Sequence, residues 1–230
     1  MKNKNTEKPD YLEHRKRRRE AYLKSGFESW HDYEILEFLL FYAIPQEDTK
    51  PIAKRLIEKF KTLDAVLNAD MKELQTIKRI GPHSATLFKV VKDISTIFLE
   101  RQIKNIDIVS SPSIAVEYLR LKLLKSREEK FIALFLNNQN HVLASETLQT
   151  GTVNKASVYP RAVIEKALKH NATGIILAHN HPSGTLEPSK EDITISNKLK
   201  DACKNIDINL LDHIIVTDSD YISLKSKSLI

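Results

Sequence analysis

The sequence predicts a two-domain fold: an all-α half, then an α/β half built as a mixed sheet with helices. Three observations carry this expectation. At 230 residues the chain is long for one domain and comfortable for two, taking about 100–150 residues per domain. The first half places apolar residues at helical spacing, holds only Gly26 and Gly81 among its glycines and shows little alternation. The second half interleaves short apolar runs with amphipathic stretches, the pattern of strands and helices. A 41% hydrophobic and 29% charged composition is that of a soluble globular protein. No run approaches the roughly 18–20 apolar residues of a membrane helix. The opening MKNKNTEKPD lacks the apolar core of a signal peptide. A cytoplasmic location without membrane association is the expectation.

In the first half, Tyr33, Leu36, Leu39 and Leu40 recur at helical spacing in HDYEILEFLLFYAI, and Pro45 ends that helix. DTKPIAKRLIEKF carries the stripe Ile52, Leu56, Ile57 and Phe60, with Asp48 as its cap. Short helices are expected over Leu63–Asn68 and Met71–Ile77, and a longer one from Ser84 to Arg101. QIKNIDIVSSPS reads as a linker. Beyond it come a helix over Ile114–Leu124, a strand in FIALFLN, an Asn-Gln-Asn turn and a second strand in HVLASETL. SVYPRAVIEKALKHNA places proline in a helix's first turn, and GIILAH has the apolar run of a buried central strand. A helix over Ser189–Asn205 and strands at HIIVT and YISL complete the half. The boundaries expected are a basic arm over 1–24, a helical domain over 25–103 and the α/β domain over 108–230.

The charge of +6 is concentrated. Residues 1–24 hold nine Lys/Arg against four Asp/Glu, densest at Arg15-Lys16-Arg17-Arg18-Arg19, while 25–105 balance and 106–230 exceed balance by one. Such a run suits phosphate backbones and equally suits a solvated helix start. The bulk of the protein is not a basic nucleic-acid clamp.

The most informative stretch is Ala178-His179-Asn180-His181-Pro182-Ser183-Gly184, continuing through Pro188-Ser189 to Asp192. Strand side chains alternate, so His179 and His181 point the same way at a strand end. Two imidazoles then converge on one point, as zinc requires, and Asp192 in the next helix's first turn supplies a third ligand. With water in the fourth position this is a catalytic-type site. Ser189-x-x-Asp192 is also the pattern of a capping box, and the two readings are compatible. The lone Cys203 excludes an internal disulfide and a four-cysteine zinc site. It is expected as a small buried hydrophobe.

His-Asn-His-Pro-Ser-Gly followed by Pro-Ser-x-x-Asp resembles the signature of RadC-type proteins, once described as DNA repair proteins. They belong to the MPN/JAB (JAMM) superfamily, whose motif is His-x-His, ten residues, then Asp. The likeness runs over about 108–230, through FIALFLN, Gly151-Thr152, Pro160-Arg161 and Leu211-Asp212-His213-Ile214-Ile215. It implies the MPN/JAB, cytidine-deaminase-like α/β fold and one Zn2+ held by His179, His181 and Asp192. It also implies a general base at Glu129, just before an early strand, with Glu128 one residue away as the alternative. Ser189 matches the family serine whose hydroxyl supports the oxyanion. Ala162 stands where relatives commonly carry Glu. Asp212 and His213 are expected to steady the site by hydrogen bonds, with His213 outside the ligand set.

Residues 74–86, around Leu74-Gln-Thr-Ile77-Lys-Arg-Ile80-Gly81-Pro82, resemble the helix–hairpin–helix of the RadC N-terminal domain. There a Gly-hydrophobe-Gly turn presents backbone amides to a DNA phosphate. Here Arg79 replaces the first glycine, and Lys78 and Arg79 are candidate phosphate contacts instead. Two functions follow from the resemblance. One is zinc-dependent hydrolysis of a peptide or isopeptide amide in a protein substrate. The other is DNA binding as a repair or recombination accessory, with a structural or idle zinc.

Overall fold

A helix with almost no apolar stripe opens the structure. In this computed structural model residues 10–123, 128–150, 158–218 and 220–230 are described, so Gly151, Thr152 and the first nine residues of the arm lie outside it. The chain divides into two units, Met1–Asp93 and Ile94–Ile230.

In the first unit, α1 (Asp10–Ser25) carries the basic run. Arg15 is buried, and its guanidinium donates to the carbonyls of Ile44, Pro45 and Glu47. Those groups lie where α2 (Asp32–Ala43) ends and would otherwise lack partners. Arg18 pairs with Glu34, and His14 meets the buried Glu37 at 2.7 Å. Lys16, Arg17 and Arg19 are exposed. Part of the basic run is thus internal structure.

Helix α3 (Lys50–Phe60) follows Thr49, whose side chain makes no cap bond, and the side-chain bond at the helix start comes from the expected Asp48. Thr49 donates its hydroxyl to the Glu37 carbonyl at 3.2 Å, and Asp48 instead accepts from the Lys50 amide at 3.0 Å. The short α4 (Leu63–Asn68) and α5 (Met71–Gln75) have side-chain caps in Thr62 and Asp70. Leu36, Leu40, Ile52, Leu56, Leu74 and Phe88 centre the core. Before α6 (Pro82–Ile103), Arg79 sits at φ 78, the left-handed conformation that favours glycine. A left-handed residue thus stands at the position of the first glycine in the expected Gly-hydrophobe-Gly pattern. The Arg79 guanidinium pairs with Glu47 at 2.6 Å.

The second unit contains α7 (Pro112–Leu123), β1 (Lys130–Leu136), β2 (Val142–Thr150), α8 (Pro160–Lys169), β3 (Gly174–Asn180), α9 (Lys190–Lys204), β4 (Asn209–Val216) and β5 (Tyr221–Ser223). The sheet order is β2-β1-β3-β4-β5, with β3 and β4 parallel and the other pairs antiparallel. Alternation sorts the central strands onto two cores. Ile132, Leu134, Ile176, Ala178, Ile214 and Val216 pack with α7 residues. Ala133, Phe135, Ile175 and Leu177 pack with residues of α8 and α9. Both faces are covered, so GIILAH reads as a continuous apolar run. Register sets Phe131 beside His179 and His179 beside Ile215. The parallel pair thus ends with its carboxyl ends together, the usual place for a site in an open α/β sheet.

Candidate metal centre

His179 belongs by alternation to the α8/α9 face of β3, in line with Ile175 and Leu177. On α9, Asp192, Ser196, Leu199 and Cys203 are buried at spacings of four, three and four. The amphipathic pattern that packs the helix therefore also turns its first inward residue, Asp192, toward the strand end. Between them, Gly184 takes φ +80 and its amide donates to the His181 carbonyl at 3.0 Å, folding the loop back. The His181 amide donates to the Val216 carbonyl at 3.0 Å, anchoring that loop to β4.

The three side chains meet. His179 Nε2 lies 2.9 Å from His181 Nε2 and 3.4 Å from Asp192 Oδ1, and His181 Nε2 lies 3.7 Å from Asp192 Oδ2. One potential ligand atom from each falls within 4.8 Å of the others. Both imidazoles are engaged on their outer nitrogens. His181 Nδ1 donates to the Thr185 carbonyl at 2.6 Å, and His179 Nδ1 lies 2.8 Å from His213 Nε2. The Phe131 ring stacks on His179 with centroids 4.3 Å apart.

This crowding shifts the ionisations. Burial, aided by the neighbouring His213, holds His179 well below the usual histidine range. His181 is raised, first by its hydrogen bond to Asp192, with the Thr185 carbonyl and the charge of Glu129 adding to it. Burial disfavours the Asp192 carboxylate, but hydrogen bonds from His181 and Ser189 and the charge of His179 outweigh it and hold the group below the usual carboxylate range. Burial pushes His213 down to about 4.

Ser189 forms the capping box with Asp192. Its hydroxyl donates to Asp192 Oδ2 at 2.7 Å, its amide donates to the same oxygen at 2.8 Å, and Oγ accepts from the Asp192 amide at 3.1 Å. The remaining oxygen, Oδ1, is the one nearer His179.

Glu129 is exposed and precedes β1. Phe131, two residues on, stacks on His179, and the charge of Glu129 acts on His181. The buried Asn180 side chain brackets Glu129. Oδ1 accepts from the Lys130 amide at 2.8 Å, and Nδ2 donates to the Glu128 carbonyl at 3.1 Å. Two residues escaped the sequence reading. Asn180 had the signal of a polar residue closing an apolar strand, and Ser196 that of a hydroxyl on the buried stripe of α9. The site fits a metal in its donor set: two imidazole nitrogens and a carboxylate, all acceptors when neutral or ionised, crowd one point.

Residues 109–229 match the family model described as the RadC-like JAB domain. The chain is similar to a UPF0758 protein of Fusobacterium nucleatum subsp. nucleatum, with 40% identity over 94% of this chain and 97% of that protein. It is similar also to a UPF0758 protein of Pseudoalteromonas translucida, with 37% identity over 95% of this chain and 98% of that protein.

Proposed function

The chain belongs to the RadC-like JAB family, and from that membership we propose that it is a zinc-dependent hydrolase of a peptide or isopeptide amide bond. The observation that carries the reading is the convergence of His179, His181 and Asp192, with both imidazole Nδ1 atoms engaged away from the centre. These three residues would hold the ion. Zinc in such a set supplies Lewis acidity, lowering the pKa of a water toward neutrality and polarising a carbonyl.

The chain's own groups do the rest. Glu129 is the general base: its carboxylate accepts a proton from the attacking water and returns it to the leaving amine. Glu129, rather than Glu128, takes this role because its charge acts on His181. Ser189 holds Asp192 through its amide and, in the resting site, its hydroxyl; for the oxyanion role that one hydroxyl proton would leave Asp192 Oδ2 and turn to the developing oxyanion. Asn180 keeps the backbone on either side of Glu129 from drifting.

Metal content by mass spectrometry tests this directly. One zinc per chain is expected, lost in the folded His179→Ala, His181→Ala double variant. Glu129→Gln is expected to keep the zinc and to abolish cleavage in a screen of peptide and isopeptide substrates. A folded, zinc-supplemented wild-type protein without bound metal would refute the hydrolase.

A second reading concerns the helical unit, where Lys16, Arg17 and Arg19 stay exposed while Arg15 and Arg18 are engaged internally. These three side chains are proposed phosphate contacts for DNA, together with residues 74–86. Binding to a duplex followed across a salt series is expected to weaken with salt. Replacing the three by Ala should flatten the log–log slope by about 2–3. An unchanged slope removes the arm from the interface.

A further inference from the structure

Ser196 and His213 lie behind the metal centre, buried, and neither is one of the three proposed ligands. The register of the parallel pair sets His213 beside Leu177, two residues before His179. Ser196 stands one helical turn after Asp192 on the same inward stripe of α9. The contacts form an unbroken row. Ser196 Oγ lies 2.6 Å from the Asp192 carbonyl oxygen and 2.6 Å from His213 Nδ1, and His213 Nε2 lies 2.8 Å from His179 Nδ1.

Each link has a direction. A carbonyl oxygen only accepts, so the single hydroxyl proton of Ser196 goes to Asp192. Ser196 Oγ must then accept from His213, which places the proton of that imidazole on Nδ1. A neutral imidazole with Nδ1–H has a lone pair on Nε2. That lone pair accepts from His179 Nδ1–H, and the lone pair of His179 is left on Nε2, facing His181 and Asp192. We propose that Ser196 and His213 are positioning residues that hold His179 as its Nδ1–H tautomer and so dedicate Nε2 to the metal.

The proposal deepens the metal-centre reading and rests on it for its purpose, though the tautomer itself is a property of the metal-free protein. The reversed chain is chemically defined. Ser196 would donate to His213 Nδ1, His213 Nε2–H would donate to His179 Nδ1, and His179 would present an N–H to the centre. A proton there blocks a ligand. The choice between the two rows rests on the Asp192 carbonyl, which is why a serine hydroxyl at this helix position matters.

Long-range nitrogen–proton correlation NMR of the metal-free, uniformly nitrogen-15 protein reads the two tautomers directly. Nδ1–H on both His179 and His213 is expected, whereas Nε2–H on His179 would overturn the proposal. Ser196→Ala removes the acceptor for His213 Nδ1–H. It is expected to shift His179 toward Nε2–H and to weaken zinc affinity by about 10–100-fold. A folded Ser196→Ala protein with unchanged tautomers and unchanged affinity would equally overturn it. If that variant fails to fold, the wild-type spectrum still decides. Nδ1–H on His179 without any zinc uptake would uphold the hydrogen-bonded row and refute the hydrolase reading instead.

Discussion

Asn180 lies between the two histidines, and its side chain reaches residues fifty positions away. It gives one acceptor to the Lys130 amide and one donor to the Glu128 carbonyl, both partners at the margin of β1. Truncation would leave two part-buried backbone groups without those bonds. Asn180→Ala is expected to lower stability by about 1–3 kcal/mol in urea unfolding while zinc stoichiometry stays at that of the wild type. A loss of zinc in the folded variant would instead make Asn180 part of the metal centre's support. His213 and Ser189 are engaged in the same way, His213 with Ser196 and His179, and Ser189 with Asp192.

Among the elements, the tie between β2 and α8 is the clearest electrostatic contribution to the second unit. Glu146 on β2 pairs with Lys166 and His170 of the α8 end. Hydrogen bonds from Lys166 and then His170 hold its carboxyl down at about 2, against an ordinary 4.5. A depressed carboxylate stabilises the fold above its unfolded value and loses that contribution as pH falls through its folded value. Glu146→Gln is therefore expected to cost about 1–2 kcal/mol near neutrality, allowing for solvent screening of a group that is part exposed. The difference from wild type should close between pH 4.5 and 2 in acid-unfolding curves. In the turn before α6, Arg79 occupies a left-handed position and its guanidinium pairs with Glu47.

For the whole molecule, charge and chemistry are carried by different units. The excess of positive charge lies in residues 1–24, within the first unit, and the His-His-Asp cluster lies in the second. Among the described residues no helix is long and apolar enough to cross a membrane. Metal binding to the native state alone should stabilise the second unit. Zinc at a hundredfold its dissociation constant is expected to add about 2.7 kcal/mol, read as a rise in Tm that chelation reverses. The His179→Ala, His181→Ala variant should show no such rise.

From the sequence alone came the α-then-α/β order, the approximate bounds of most helices and strands, and the His-x-His, ten residues, Asp spacing. These are legible because hydrophobic period and short-range spacing are local properties. Helix α1 was not among them, since its Arg15 is buried by the end of α2 and no apolar stripe announces that contact. The Asp48 bond to the Lys50 amide at the start of α3 was legible locally, whereas the bond from Thr49 to the Glu37 carbonyl is tertiary. The family likeness marked His179, His181 and Asp192, but the row from Ser196 through His213 joins residues seventeen and thirty-four positions apart. Only the parallel pairing of β3 with β4 and the packing of α9 over them bring those groups to hydrogen-bond distance. Local pattern thus determined which elements form and which residues could bind a metal. Tertiary packing decided which protons those residues hold, because a hydrogen bond's direction depends on every partner in the chain.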